Sequence, residues 1–180
     1  MIFLSTSRLT PRKGIHHLIE AFAIAIEKTV KPIELHLIGE GEQRDVLEKR
    51  AKELGIAEKV RFIGRVPHDQ LAAYYQRSHA FVLPSRNEGM SNSALEALAS
   101  GLPLIVSGTG GMAEFVTDGA NGLFVDPENA ESFASALVRI AENPEEAAAF
   151  GIESRARAEK RSWRAVAENF RKILEKAKKQ

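Results

Sequence analysis

The sequence predicts an α/β fold: a single Rossmann-like domain over residues 1–180, with a parallel sheet of about six strands, helices on both faces and a helical C-terminal tail from about 145 to 180. Two observations carry that expectation. Short apolar runs alternate with stretches of helical periodicity, the pattern of repeated strand–helix–strand units. Polar and glycine residues gather just after those runs, where the carboxyl-end loops of such a sheet hold ligands.

Taken in order, residues 2–5 (IFLS) read as a first buried strand, followed by the loop Arg8–Gly14. A helix from about Ile15 to Lys28 has a wide apolar face built on Leu18, Ile19, Phe22 and Ile26. A strand over Ile33–Ile38 runs into Gly39-Glu40-Gly41, and a charged helix over Glu42–Leu54 stops at Gly55. Val60–Ile63 is the third strand, Pro67–Arg77 a short helix, and Ala80–Leu83 the fourth strand. A further helix begins among Ser91, Asn92 and Ser93, three N-cap candidates, and Gly101 with Pro103 stops it. Leu104–Ser107 is the fifth strand, Met112–Val116 a short helix, and Leu123–Val125 a last short strand. The remainder reads as helices over about 129–142, 145–160 and 163–178, broken at Pro144 and Ser162-Trp163.

Composition narrows the function classes. With 44% hydrophobic and 27% charged residues the chain is of globular type, and a net charge of +1 provides no global field for nucleic acid or an anionic membrane. There is no cysteine, which removes thiolate chemistry and cysteine-ligated zinc. The five histidines show no metal-ligand spacing, and no metal role is assigned. No apolar run reaches membrane-spanning length and the start is too short for a signal peptide, so a cytoplasmic location is expected. The lysine-rich end (Lys172, Lys176, Lys178, Lys179) reads as a solvated helix face, with membrane-surface contact as the lesser alternative.

The stretch Leu83–Gly101 organises the chemistry. Glu88 and Gly89 lie on the loop after the fourth strand, and Glu96 lies one turn into the helix that follows. Unpaired amides around Met90–Asn92 form an anion site aided by the helix dipole. Glu88 and Glu96 stand on the order of 10 Å apart, which suits a ligand with hydroxyls at both ends and phosphate between. Otherwise they are an acidic loop and a solvated helical glutamate. Arg8 and Lys13 bracket the first strand-to-helix loop and suit a diphosphate, the arginine as a fork and the lysine as a point charge. The competing reading makes them solvated loop cations. Gly39-x-Gly41 permits close backbone approach but lacks the third glycine of the dinucleotide fingerprint, so NAD is rejected. Asn121-Gly122 reads as a turn.

Arg8-x4-Lys13-Gly14, Gly39-Glu40-Gly41, Phe62-Ile63-Gly64, Leu83-Pro84-Ser85 and Glu88-x7-Glu96 occur in this order. Ala99-x-Gly101-Leu102-Pro103, Gly110-Gly111-x2-Glu114 and Asp118-Gly119-x2-Gly122-Leu123 follow. Together they resemble, over essentially the whole chain, the C-terminal half of a retaining GT-B glycosyltransferase of family four, the glycogen-synthase-like and mannosyltransferase-like group. The resemblance implies a donor-binding domain for a UDP-, GDP- or ADP-linked sugar, with no metal or other cofactor. It implies that Glu88, Arg8 and Lys13 are the catalytic residues: Arg8 and Lys13 hold the donor diphosphate and stabilise its developing charge, and Glu88 binds hydroxyls of the transferred sugar. Gly89, Met90, Ser91 and Asn92 would lie near sugar and distal phosphate, and Glu96 would take the ribose hydroxyls. Arg65 and Val66 would meet the base, with Gly39 on the same rim. Gly89-Met90-Ser91 departs from the frequent Gly-Phe-Gly, which puts sugar specificity at issue.

GT-B enzymes close their active site between two such domains, and no second one is visible here. The expected partner is therefore an N-terminal domain, in cis or as a separate chain, and the chain alone is expected not to transfer. An exposed interdomain face would permit self-association. Two alternatives stay open: a non-catalytic binding or assembly module of the same fold, and half of a sugar-nucleotide epimerase.

Overall fold

Six apolar runs become the six strands of one parallel sheet: β1 (Ile2–Thr6), β2 (Glu34–Ile38), β3 (Val60–Gly64), β4 (Ala80–Leu83), β5 (Leu104–Ser107) and β6 (Gly122–Val125). They lie in the order β3-β2-β1-β4-β5-β6, and every pairing is parallel. The computed structural model describes residues 1–86, 89–108 and 110–177. Seven α-helices connect and flank the strands: α1 (Ile15–Lys28), α2 (Arg44–Glu53), α3 (His68–Arg77), α4 (Asn92–Ala99), α5 (Ala130–Glu142), α6 (Pro144–Glu159) and α7 (Trp163–Ala177). The α/β class, the strand number and the helical tail agree with the sequence reading.

Strands buried on both faces read as nearly continuous apolar runs, and the central ones do, apart from Ser5, Thr6 and Ser107 at their carboxyl ends. Phe3, Leu4, Phe81, Val82, Leu104, Ile105 and Val106 are completely buried. One face packs against α1, α2 and α5 through Leu18, Phe22, Leu47, Phe133, Leu137 and Ile140. The other packs against α3 and α4 through Tyr75, Ala94, Ala97 and Leu98, joined by Met112 and Phe115.

Strand order reverses between β1 and β4. The chain runs outward from β1 to β3, then crosses back to β4, so the loops after β1 and β4 leave the sheet edge side by side and diverge to opposite faces. In open α/β sheets such a divergence is where the carboxyl edge offers a crevice for a ligand.

Two elements differ from expectation. The segment anticipated as a helix over Met112–Val116 is a 3-10 turn over Gly110–Glu114. The Gly111 amide donates to the Gly89 carbonyl (3.1 Å), which ties the start of the turn to the loop after β4. The helix expected from Glu42 begins at Arg44, because the Gln43 amide is held by the Leu9 carbonyl (3.1 Å) across the β1 loop. Of the expected tail, Lys178 and Lys179 lie outside the described residues.

At the opposite edge, His79 ties β4 to β1. Its Nδ1 accepts the Ile2 amide (3.1 Å), and its own amide donates to the Ile2 carbonyl (2.8 Å). An accepting Nδ1 requires a neutral ring, and desolvation lowers the pKa of His79 from the ordinary 6.5. The pKa of His16 is lowered too, by desolvation first and the neighbouring His17 second. A histidine that binds its proton less readily folded than unfolded contributes stability above the unfolded pKa, lost as pH falls through it. Urea midpoints are therefore expected to drop between about pH 7.5 and about pH 5, and His79→Gln is expected to flatten that drop. An unchanged slope in the variant would contradict the assignment.

Candidate functional site

The crevice is assembled by backbone approaches between loops that are remote in sequence. After β1, residues Pro11–Lys13 form a 3-10 turn that Gly14 terminates in the left-handed conformation (φ 67°) before α1 begins. A Cβ on Gly14 would lie 2.4 Å from the Pro84 carbonyl oxygen, so the Lys13-Gly14 corner rests directly on the loop after β4. The Ser85 hydroxyl and the Arg86 amide both donate to the Arg12 carbonyl (3.4 Å each). Beyond Ser85, the Ser107 hydroxyl at the end of β5 donates to the Ser85 carbonyl, and Gly111 binds Gly89 as described above. Loops after β1, β4 and β5 therefore form one continuous rim.

The rim extends towards β2 and β3 in the same way. A Cβ on Gly39 would meet the Ser7 carbonyl at 1.9 Å, and φ there is 132°, so only glycine fits. The Gly39 amide donates to the Gly64 carbonyl (2.8 Å), which sets the Arg65-Val66 corner beside it. Arg65 is exposed and Val66 packs its side chain against the core. Arg44 stiffens this flank by reaching Glu40 (2.8 Å), Glu48 (2.9 Å) and the Phe62 carbonyl (3.2 Å).

Arg8 is exposed on the β1 loop, and Lys13 is half-buried at its far end. Arg86, not singled out by sequence, adds a further cation to the rim and is itself held by Glu128 (3.3 Å) and His17 (3.2 Å). The overall charge is near zero, yet basic side chains recur along this edge at Arg8, Arg12, Lys13, Arg65 and Arg86.

Of the three N-cap candidates, Ser91 takes the role. Its Oγ accepts the Ala94 amide (3.4 Å) and contacts the Ser93 hydroxyl (3.1 Å), so that hydroxyl is committed to the helix start. Gly89, Met90 and Asn92 are exposed around that start, Met90 to 65%. Glu88 lies outside the described residues.

Glu96 has partners that the sequence did not announce. Its Oε2 accepts the hydroxyl of Tyr75 from α3 (2.8 Å), and its Oε1 stands 3.7 Å from Nδ1 of the exposed His68. Burial pushes the Tyr75 phenol well above its ordinary pKa, so it remains a neutral donor. The only sequence signal for this pair was the apolar periodicity that turned one face of α3 inward.

A cavity of about 560 Å³ lies elsewhere, at the amino ends of the strands, lined by Met1, Leu102, Pro103, Ala147 and Ile152 among others. It is mostly apolar and includes none of the predicted site residues. Among the described residues no helix is long and apolar enough to cross a membrane.

Residues 1–157 match the family of glycosyl transferases group 1. An uncharacterized glycosyltransferase of Methanocaldococcus jannaschii is 37% identical over 139 residues, which is 77% of this chain and 35% of that protein. A GDP-mannose-dependent alpha-(1-6)-phosphatidylinositol monomannoside mannosyltransferase of Mycolicibacterium smegmatis is 32% identical over 161 residues, 86% of this chain and 42% of that protein. Among solved structures, S. aureus TarM in a complex that includes UDP superposes with a TM-score of 0.87 at 25% identity, covering 96% of this chain and 35% of TarM. The chain thus spans well under half the length of these relatives. On its matching sequence, and on a parallel sheet that superposes on a GT-B enzyme, the chain belongs to the glycosyl transferases group 1 family and has the fold of a GT-B domain.

Proposed function

We propose that the chain is the nucleotide-sugar donor-binding domain of a retaining glycosyltransferase. The observation that carries this reading is the contact at the switch point, where the Lys13-Gly14 corner rests on the Pro84 carbonyl of the loop that leads to the Ser91-capped α4. UDP in the TarM complex and GDP-mannose dependence in the mycobacterial relative support a nucleoside diphosphate as the shared ligand.

In this reading Arg8 and Lys13 hold the diphosphate, with the Gly89–Asn92 amides close to the distal phosphate. Glu96 accepts hydrogen bonds from ribose hydroxyls, while Gly39, Arg65 and Val66 border the base. Glu88 receives its role, hydroxyl binding on the transferred sugar, from the family pattern. During transfer the bond from the anomeric carbon to the phosphate oxygen breaks, and the acceptor oxygen bonds that carbon on the same face. The acceptor proton passes to the leaving phosphate, whose charge is stabilised by the two cations and the helix amides. The acceptor would be supplied by the part of its relatives that the chain does not cover, so the domain alone binds and does not transfer.

Titration calorimetry of the chain with UDP, GDP and ADP tests this. At least one is expected to bind, and Arg8→Ala and Lys13→Ala are each expected to weaken it by about tenfold without loss of fold. Absence of heat for all three at millimolar concentration would overturn the reading.

A further inference from the structure

We propose that Tyr75 is a positioning residue for the ribose end of the donor site, holding the Glu96 carboxylate so that its second oxygen faces the crevice. The inference rests on the reading of Glu96 as the ribose-binding group, and goes beyond it in assigning a role to a buried side chain on a different helix.

The geometry is specific. The Tyr75 ring is 2% exposed and lies among the core residues of its face, with the Phe81 ring centroid 6.0 Å away. A purely apolar position there would be served by phenylalanine, since burying a hydroxyl without a partner is costly. Here the hydroxyl emerges beside α4 and donates to Glu96 Oε2 at 2.8 Å. The Glu96 side chain keeps 30% of its surface, so the carboxylate is anchored from below and open above. An ionised carboxylate only accepts, and each oxygen accepts more than one hydrogen bond. Tyr75 uses one acceptor position on Oε2; the exposed His68 stands 3.7 Å from Oε1, outside hydrogen-bonding distance, so Oε1 and the remaining lone pair of Oε2 keep acceptor capacity for two adjacent hydroxyls, the pattern of a ribose diol.

The tether also stiffens the contact. A glutamate on a helix surface has three side-chain torsions to order when it binds a ligand. Anchoring one oxygen to a ring locked in the core fixes them before the ligand arrives, which favours binding without a new ligand contact. Tyr75 itself never touches the ribose.

The test compares a nucleoside diphosphate with its 2′,3′-dideoxy counterpart, using whichever of UDP, GDP and ADP binds. The wild-type chain is expected to prefer the ribose form by about tenfold. Tyr75→Phe keeps the ring and is expected to weaken the ribose form by about fivefold, leaving the dideoxy form within about twofold. In a Glu96→Ala background the same change should have no further effect on either ligand, because the group it positions is gone. A merely structural tyrosine would weaken both forms equally, and that result overturns the inference while leaving the donor-site reading intact. Equal affinity of the two forms in Tyr75→Phe and wild type alike would remove the ribose role of Glu96, and the positioning role with it.

Discussion

Gly14→Ala is expected to destabilise the chain by about 3 kcal/mol. Left-handed backbone costs an alanine about 1 kcal/mol, and a new Cβ 2.4 Å from the Pro84 carbonyl oxygen forces backbone apart for roughly 2 kcal/mol more. Gly55 provides the control. It has nearly the same φ, 69°, but nothing within 4 Å of its notional Cβ. Gly55→Ala should therefore show only the conformational cost of about 1 kcal/mol. The difference between the two variants, read from urea unfolding, measures the contact between the loops after β1 and β4. On the proposed function, the same substitution should weaken nucleotide binding under conditions where the variant is fully folded, since it shifts Lys13 relative to the loop after β4. Equal destabilisation by the two alanines would mean that the two loops adjust freely and that the crevice is not held by this contact.

Asn121→Ala should be comparably damaging, at about 3 kcal/mol, for a different reason. Asn121 is completely buried. Its Oδ1 accepts the Thr117 amide (2.8 Å), and its Nδ2 donates to the Phe115 carbonyl (3.1 Å) and to Ser154 Oγ (3.5 Å). Its carbonyl also accepts the Ser154 hydroxyl (3.3 Å) and the Leu104 amide (3.2 Å), so one residue links the turn before β6, the start of β5 and α6. Alanine leaves the buried Phe115 carbonyl and the part-buried Thr117 amide without these partners, and a stranded buried group costs about 1–3 kcal/mol, with the side-chain cavity adding to it. Ser154→Ala should cost about 1 kcal/mol, and the double variant should lose less than the sum of the singles. Additive losses would show that the two side chains act independently.

Much of the candidate site was legible from spacing. Leu83-Pro84 after an apolar run, with glutamate, glycine and cap residues behind it, marked the loop and the start of α4, and Ser91 is the cap. Arg8 and Lys13 at the ends of the loop after β1 followed from the same logic. The boundaries of α2 and of the 3-10 turn at Gly110–Glu114 were read less well, because each is set by a hydrogen bond to a distant loop: Gln43 to Leu9, and Gly111 to Gly89. Asn121 was read as a turn residue, which it is, but its burial under α6 was hidden.

Sequence alone therefore determined the α/β class, the alternation that makes the sheet parallel, and which loops carry charge and glycine. These are consequences of local periodicity: a strand buried on two faces and a helix buried on one each leave their signature within about ten consecutive residues. Tertiary structure alone decided that Gly14 rests on Pro84, that Ser154 reaches Asn121 33 positions away, and that Tyr75 holds Glu96 across 21. Such pairs meet only because strands β1 and β4 are neighbours and the helices fold back over them. A hydroxyl on a buried helix face has the same periodicity whether it meets a carboxylate or a void, so only the packed chain distinguishes the two.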